Sequence, residues 1–253
     1  MKKLAHALVL TGLLSAPALA LAAEPASPHS LSGNISLTSD YVFRGVSQTQ
    51  NGPAIQGGFD YAHASGLYVG AWGSSVAWVQ KGGYKDDSSM EVDLYGGYRG
   101  SLPADIGYDV GAITYYYPGD KIAGIQTPDT TEVYAGASWK FLTLKYSHVV
   151  SSNFIGWYDY DLGKKSRNSN YIELNADYDL GNGWGIMGHV GRQKVKNLGD
   201  ANYTDWKIGV SKDIGFGTVA LAYTDTNADA AVYTIDGEKI ADGRAFLSFS
   251  KSF

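Results

Sequence analysis

The sequence predicts an all-β protein, an antiparallel up-and-down transmembrane β-barrel of about 12 strands. Three observations predict this fold class. The N-terminus has the pattern of an export signal, apolar and polar residues alternate with a period of two over residues 33–253, and long polar connections alternate with tight turns. Together these features are typical of outer-membrane barrels, which have short turns at one end and long loops at the other.

The first element is a secretory signal peptide. Lys2 and Lys3 give a positive start, a short apolar run follows, and Ala20 and Ala22 form the A-x-A arrangement that precedes cleavage. The run is too short for a membrane helix. We therefore expect export and cleavage after Ala22. The predicted domains are the signal peptide over 1–22, a short periplasmic segment over 23–32 and the transmembrane barrel over 33–253.

The composition excludes several classes of protein. Without Lys2 and Lys3, 18 of the 20 basic residues remain against 25 acidic ones, which argues against nucleic acid as a partner. The chain has no cysteine, so disulfide and thiolate chemistry are excluded. Its 19 tyrosines and 32 glycines suit turn-rich β structure with aromatic belts.

Alternation defines the strands. Met90, Val92 and Leu94 fall on one face, for example, and Glu91 and Asp93 on the other. None of the 7 prolines falls in the interior of a predicted strand. The predicted strands are 33–45, 53–63, 66–76, 89–100, 104–117, 129–139, 141–150, 169–179, 183–193, 203–212, 216–225 and 243–253.

The connections alternate in length. Tight turns follow the even-numbered strands, whereas a soluble sandwich has no reason to place every long loop at one end. This arrangement predicts both termini in the periplasm. The long connections follow the odd-numbered strands, at 46–52, 77–88, 118–128, 151–168, 194–202 and 226–242.

The last predicted strand closes the barrel against the first, because an open edge in lipid would leave backbone groups without partners. It ends on an aromatic residue, as does the C-terminal signal that outer-membrane barrels present to the barrel assembly machinery. We expect Leu247, Phe249 and Phe253 to form this assembly signal. Lys251 departs from the pattern, but its long side chain can reach the interface.

The register opposite to the lipid-facing residues predicts charged side chains in the lumen, nine acids and six bases. They either line a water-filled channel that favours cations or neutral solutes, or they pair across the lumen and close it. In the open case, Arg44, Arg99 and Arg244 are expected to face acids such as Asp60 and Asp109. The predicted lumen charges are Asp40, Arg44, Asp60, Glu91, Asp93, Arg99, Asp109, Glu132, Lys140, Lys145, Glu173, Asp177, Asp205, Lys207 and Arg244.

Inward glycines leave space in the lumen or relieve crowding against Tyr68, Tyr95 and Tyr134. Outward aromatic residues are predicted to form the interfacial girdles rather than to bind sugar. The inward glycines are Gly58, Gly70, Gly97, Gly111, Gly136 and Gly209. The predicted girdle is Tyr41, Tyr61, Tyr98, Tyr108, Trp139, Tyr178, Trp184, Trp206 and Tyr223.

The loop 151–168 has its own aromatic cluster, Phe154, Trp157, Tyr158 and Tyr160, which either binds a surface ligand or packs the loop on the barrel mouth. His148 lies near Ser152, but no third residue orients the pair as a hydrolase requires. We therefore expect no enzyme, no catalytic or cofactor-binding residues and no metal site.

Residues 39–76, beginning SDYVFRGVSQTQ, resemble a bacterial family of TorF-type porins, earlier described as a family of unknown function (Gcw_chp). The segments EVDLYGGYRG, EVYAGASWK and FLSFSKSF are also similar to it. The resemblance implies the outer membrane of a Gram-negative cell and a pore. It brings no catalytic residues.

We therefore expect an outer-membrane porin-like channel for passive diffusion of small hydrophilic solutes, with some preference for cations. The expected partners are outer-membrane lipid, lipopolysaccharide, the barrel assembly machinery and a small hydrophilic solute. The alternative is a closed barrel that acts through its external loops as a surface receptor or adhesin.

Overall fold

The computed structural model describes residues 27–253, so the predicted signal peptide lies outside the described residues. Within them, twelve long strands close into one barrel. Every strand pairs antiparallel with its neighbours in sequence, and the last pairs with the first, so the up-and-down barrel predicted from the sequence is confirmed. The strands are β1 His29–Thr38, β2 Ala54–His63, β3 Leu67–Ser75, β4 Met90–Leu102, β5 Ile106–Tyr116, β6 Thr130–Trp139, β7 Leu142–Val149, β8 Asn170–Gly181, β9 Trp184–Lys194, β10 Tyr203–Asp213, β11 Thr218–Thr226 and β12 Arg244–Ser252.

Short elements decorate the connections. An α-helix spans Trp78–Lys81, and 3-10 turns span Pro103–Asp105 and Gly199–Ala201. Three small hairpins pair two-residue strands. They are Val42–Phe43 with Val46–Ser47, Tyr158–Asp159 with Lys164–Lys165, and Thr234–Ile235 with Glu238–Lys239. Among residues 27–253, no helix is long and apolar enough to cross a membrane.

The two ends of the barrel differ. The tight turns lie at one end, here called the turn end, where β1 begins and β12 finishes. The long connections lie at the other end, here called the loop end. At the turn end, Gly33 and Phe253 exchange two backbone hydrogen bonds, of 2.8 and 3.0 Å. The Phe253 ring lies over Gly33, where a Cβ would come within 2.6 Å of it. The seam is therefore paired as far as Phe253.

The outer wall carries an apolar surface between two aromatic belts. Tyr98 contacts Tyr108 at the turn end, with ring centroids 6.1 Å apart, and Trp206 contacts Tyr223 at the loop end, 5.5 Å apart. Aromatic residues at these two levels are typical of a bilayer interface, and their role as girdles stays a prediction. The other predicted girdle residues near the turn end are Tyr61, Trp139, Tyr178 and Trp184.

The first strand differs from its prediction. It begins at His29 rather than at residue 33, and it ends at Thr38 rather than at 45. The chain then turns into the barrel, because Arg44 and Gly45 adopt positive φ angles of 48° and 78° and reverse its direction. We call residues 39–52 the inward hairpin. Tyr41, predicted for the outer girdle, lies on this hairpin with only 5% exposure, so that assignment was wrong.

Two apolar clusters fill the loop end. One packs Val46 of the inward hairpin with residues of the loops after β7, β9 and β11, such as Phe154, Val195 and Tyr233. The other packs Tyr41 with residues such as Trp78 and Tyr117 of the loops after β3 and β5. Because both clusters include hairpin residues, the long loops and the hairpin form one packed cap.

Candidate functional site

The lumen contains a cavity of about 250 Å³ below this cap. Inward side chains from the strands line its wall, and the tip of the inward hairpin forms its loop-end boundary. The wall is strongly polar, as expected for the inner face of a barrel whose outer face is apolar. The predicted lumen charges that line it are Arg44, Asp60, Asp93, Arg99, Asp109, Lys145, Glu173, Asp177, Asp205 and Lys207.

Arg44 extends the hairpin across the full width of the lumen. The hairpin connects β1 with β2, but the Arg44 guanidinium donates to both carboxylate oxygens of Glu132 on β6, at 2.7 and 3.0 Å. It also donates to Gln193 Oε1 on β9, at 3.1 Å. In the closed barrel, β6 and β9 lie on the wall opposite β1 and β2. The hairpin is therefore a bar across the barrel rather than a loop along its rim.

The Arg44 socket is buried and aromatic. The side chains of Arg44 and Glu132 are only 7% and 1% exposed. The guanidinium lies 4.3 Å from the Tyr171 ring centroid, 4.7 Å from that of Phe43 and 5.6 Å from that of Phe154. Arginine suits this position, because its planar group binds a carboxylate through two bonds and stacks on aromatic rings.

The base of the hairpin is held by Asp40. Its carboxylate accepts hydrogen bonds from Ser47 Oγ at 2.5 Å, Thr49 Oγ1 at 3.0 Å and Arg244 Nη1 at 3.3 Å. Burial raises the pKa of Asp40 above its usual value, while these three partners favour the charged carboxylate. Arg244 of β12 also donates to Asn51. The hairpin is thus fixed at its base as well as at its tip.

Opposite charges are neighbours along one row of the inner wall. Arg99 lies beside Asp109 in the β4–β5 register, and Lys145 lies beside Glu173 in the β7–β8 register. Such cross-strand pairs attract each other. Around the wall the row reads Arg99, Asp109, Gly136, Lys145, Glu173, Gly191 and Asp205.

His189 forms a polar cluster that sequence reasoning missed. Its Nε2 lies 2.9 Å from Asp205 Oδ1 and 3.0 Å from Tyr171 Oη, and its Nδ1 lies 2.7 Å from Asn175 Oδ1. The Glu173 carboxylate is 3.6 Å from the same Nδ1. The signal that could have found this cluster is the pairing of Asn175 with His189 across β8 and β9, which requires the strand register.

Some lumen carboxylate oxygens have no partner. Glu91 accepts a hydrogen bond from Tyr41 Oη at 3.0 Å, but among the described residues neither oxygen of Asp93 has a hydrogen-bond partner. The same holds for Asp109 Oδ2. Because a buried carboxylate without a partner is costly, these oxygens favour a cation or a proton close by.

Tyrosines narrow the lumen by lying over glycines of neighbouring strands. A Cβ on Gly111 would come within 2.5 Å of Tyr134 Oη, and one on Gly97 within 2.6 Å of Tyr68 Oη. Tyr95 lies over Gly70 in the same way. The hydroxyls are used as well, since Tyr68 donates to Asp109 at 2.6 Å and Tyr95 donates to Asp60 at 2.6 Å. These glycines make room for aromatic rings rather than for open water.

A family model described as "Bacterial protein of unknown function (Gcw_chp)" matches residues 22–253, almost the whole chain. The chain belongs to the Gcw_chp family. A comparison with curated proteins found no match.

Solved porins share the fold of this Gcw_chp protein. The NanC porin is 12% identical, with a TM-score of 0.56 over 88% of this chain and 99% of that one. The KdgM porin is 9% identical, with a TM-score of 0.54 over 88% and 99%. The structure of the KdgM porin in complex with disordered oligogalacturonate is 9% identical, with a TM-score of 0.52 over 88% and 98%. At such low identities the likeness shows a common barrel fold.

Five predicted lumen charges of the Gcw_chp barrel do not line the cavity. Glu132 and Glu91 are buried by the hairpin, as described above, and Asp40 pairs with Arg244 at its base. Lys140 was placed in the lumen wrongly. It lies in the turn between β6 and β7 with a φ of 56°, and its Nζ is 4.2 Å from the Trp139 ring centroid on the outer wall. The predicted partners of Arg44 and Arg244 were also wrong, because Arg44 pairs with Glu132 and Arg244 pairs with Asp40.

The aromatic loop of the Gcw_chp protein packs on the barrel mouth. Phe154 is buried, and Trp157 lies 5.6 Å from Tyr233 between ring centroids. Tyr160 is exposed at the loop tip and lies 4.9 Å from Tyr158. Most of this cluster is therefore part of the cap.

His148 and Ser152 have separate partners. His148 contacts Tyr146 Oη and Asn168 Oδ1, at 3.3 and 3.2 Å, while Ser152 Oγ accepts from Lys165 Nζ at 3.4 Å. Among residues 27–253, no group of three or more His, Asp or Glu side chains could hold a metal ion.

Proposed function

We propose that this protein is an outer-membrane channel for the passive diffusion of small hydrophilic solutes. The observation that carries the proposal is a closed barrel whose outer wall is apolar and whose inner wall is lined by charged side chains around a cavity. This combination suits a barrel that spans a bilayer and holds water inside. The printed names of the similar structures, NanC porin and KdgM porin, agree with this proposal.

The inward hairpin is the proposed constriction. Because it crosses the lumen and is held at both its tip and its base, a solute has to pass beside it. A narrow path limits transport to small solutes. The bar formed by Arg44 therefore sets the size limit in this proposal.

The proposed channel prefers cations. The unpartnered oxygens of Asp93 and Asp109 face the cavity, and the predicted lumen set contains more acids than bases. A cation near these oxygens would compensate their charge. This preference is expected to be weak, because Arg99 and Lys145 stand beside acids on the same wall.

The second candidate is a closed barrel that acts through its loops as a surface receptor or adhesin. The packed cap and the hairpin across the lumen favour it. The exposed ring of Tyr160 would then be part of the contact surface.

The proposed location is the outer membrane of a Gram-negative cell, reached after cleavage behind Ala22. Leu247, Phe249 and Phe253 are the proposed signal for the barrel assembly machinery. We also propose that the protein is a porin of the TorF type. The proposal includes no enzymatic role.

The deciding experiment is single-channel recording of the refolded mature chain in a planar bilayer under a salt gradient. Discrete steps with a reversal potential on the cation side are expected. Discrete steps with a preference for anions would support the channel and reject the cation preference. A folded barrel without any steps would reject the channel and support the loop-based candidate.

A further inference from the structure

The outer rim of the barrel carries a concentration of positive charge in the sector of β7, β8 and β9. The residues belong to two of these strands and to the loops that follow β7 and β9, and all but His148 are exposed. We call this surface the basic rim patch. Its members are His148, Lys165, Arg167, Arg192, Lys194 and Lys196.

The strand register shows that the patch faces outward. Gln193 is completely buried and contacts Arg44 in the lumen. Since successive side chains of a strand point to opposite faces, Arg192 and Lys194 point away from the lumen. Arg192 is held there by a hydrogen bond from its Nη1 to Thr204 Oγ1, at 2.9 Å.

The patch lies directly above the apolar wall. Cross-strand neighbours on β7, β8 and β9 form three outward rows that change from apolar to basic toward the loop end. In that direction the rows are Leu144, Leu174 and Val190, then Tyr146, Ile172 and Arg192, then His148, Asn170 and Lys194. An aromatic and an arginine in the middle row are typical of the level where hydrocarbon meets headgroups.

A groove at the loop end widens the patch. It has a volume of about 280 Å³ and combines two ammonium groups with four amide side chains. The loop after β7 borders the same region, because Asn197 Nδ2 donates to the Lys165 carbonyl at 2.9 Å. The polar side chains that line the groove are Asn168, Asn170, Lys194, Lys196, Asn197 and Asn202.

The loops after β7 and β9 carry four bases against three acids, which include exposed Asp161 and Asp200, whereas the loops of the other sectors together carry more acids than bases. The connections after β3, β5 and β11 carry exposed acids, and their lysines stand among these acids, as the Lys81–Asp236 and Lys239–Asp242 pairs show. The exposed acids are Asp86, Asp87, Asp120, Asp236, Glu238 and Asp242. An anion at the rim would therefore favour the basic sector.

We propose that the basic rim patch binds the phosphorylated sugar headgroup of lipopolysaccharide in the outer leaflet. Arg192 and Lys194 would contact phosphate at the level of the interface, the asparagines would bind sugar hydroxyls, and the acyl chains would lie on the apolar row below. Guanidinium and ammonium groups form strong charge-assisted bonds to phosphate. This inference rests on the outer-membrane location of the proposed function.

The test uses the full mature chain in detergent with purified lipid A as the probe. The triple variant Arg192→Gln, Lys194→Gln and Lys196→Gln should bind bisphosphorylated lipid A about tenfold or more weakly than wild type, since each lost charge-assisted bond weakens binding. Dephosphorylated lipid A should bind wild type as weakly as bisphosphorylated lipid A binds the variant. The matched control is Lys81→Gln, Lys121→Gln and Lys239→Gln, which removes equal charge from the acidic sector and should leave binding unchanged.

Two results would overturn the inference. One is equal binding of lipid A by wild type and the patch variant, and the other is equally tight binding of phosphatidylglycerol, which would show a surface for any anionic lipid. Single-channel recording of the same proteins separates this inference from the channel. Equal lipid A binding by wild type and the patch variant, together with normal channel steps, rejects only the patch, and patch-dependent lipid A binding by a protein without steps rejects only the channel.

Discussion

Arg44 is a charged side chain placed on the wall opposite its own strands, and its surroundings determine how firmly the inward hairpin is held. Glu132 provides two bonds, Gln193 a third, and Tyr171 a stacking surface. A buried ion pair adds little net stability compared with an apolar pair of the same shape, yet removal of one member leaves the other charge unpaired. The socket is therefore sensitive to single substitutions.

Replacing Arg44 with alanine should release the hairpin and enlarge the path. Loss of one partner from a buried pair costs about 3–5 kcal/mol, because the other charge is left buried and unpaired. We expect higher single-channel conductance for Arg44→Ala than for wild type, with a smaller increase for Arg44→Lys. Lys121→Ala on an exposed loop is the control. Unchanged conductance in Arg44→Ala would show that the hairpin does not limit the path.

Asp93 is the residue to change for charge selectivity. Because neither of its oxygens has a partner among the described residues, Asp93→Asn should raise the free energy of unfolding by about 1 kcal/mol and weaken the cation preference. Asp177→Asn, at an exposed lumen position, should weaken the preference with little effect on stability. Thermal unfolding and reversal potentials measure the two effects. A marked loss of stability in Asp93→Asn would mean that the carboxylate has a bound cation.

At the scale of strands, the inner wall is packed by tyrosine rings that lie over glycines of the neighbouring strand. Tyr134 of β6 lies over Gly111 of β5, and Tyr68 of β3 lies over Gly97 of β4. Each ring uses space that a side chain on the next strand would occupy. Neighbouring strands on the turn-end side of the lumen are therefore matched in pairs, a tyrosine on one strand with a glycine on the other.

Gly111→Ala tests this matching. The added Cβ would lie 2.5 Å from Tyr134 Oη and 2.6 Å from the Gly96 carbonyl oxygen, so backbone as well as side chain would have to move. We expect a loss of about 1–3 kcal/mol in unfolding free energy. Gly188→Ala is the matched control, because nothing lies within 4 Å of its added Cβ. Equal unfolding temperatures for the two variants would contradict this explanation.

At the scale of the whole molecule, stability depends on the closing seam between β1 and β12. The seam reaches Phe253, whose backbone pairs with Gly33 and whose ring lies over it. In a bilayer an unpaired edge would leave backbone groups without partners. The seam is therefore the place where a small change affects the entire barrel.

Phe253→Ala should weaken the seam without removing its backbone bonds. The lost ring contact is expected to cost about 1 kcal/mol, since the ring is only partly buried. The measurement is the temperature at which the fast-migrating folded form disappears from a detergent gel, which should fall for Phe253→Ala. Ser252→Ala should migrate as wild type does. Equal transition temperatures for Phe253→Ala and wild type would reject a role of the ring in the seam.

The barrel could be predicted because its signals are local. Alternation and turn residues gave strands at 104–117 and 183–193, close to the observed Ile106–Tyr116 and Trp184–Lys194. The inward hairpin could not be predicted in this way, since alternation continues through residue 45 although the backbone reverses at Arg44. The partners of the lumen charges were missed for a related reason. Arg44 and Glu132 are 88 residues apart in sequence, and only closure of the barrel brings them together.

The arrangement of the hairpin contacts also has a consequence for the order of folding. Glu132, Gln193 and Arg244 come from β6, β9 and β12, so the last strand supplies one of the groups that hold residues 39–52. The inward hairpin, although it comes early in the chain, therefore lacks one of its binding partners until the last strand is in place. We infer that the hairpin docks last, after a wide and unobstructed ring has formed, because such distant contacts form late. An assembly intermediate trapped before docking would therefore be leakier than the finished protein.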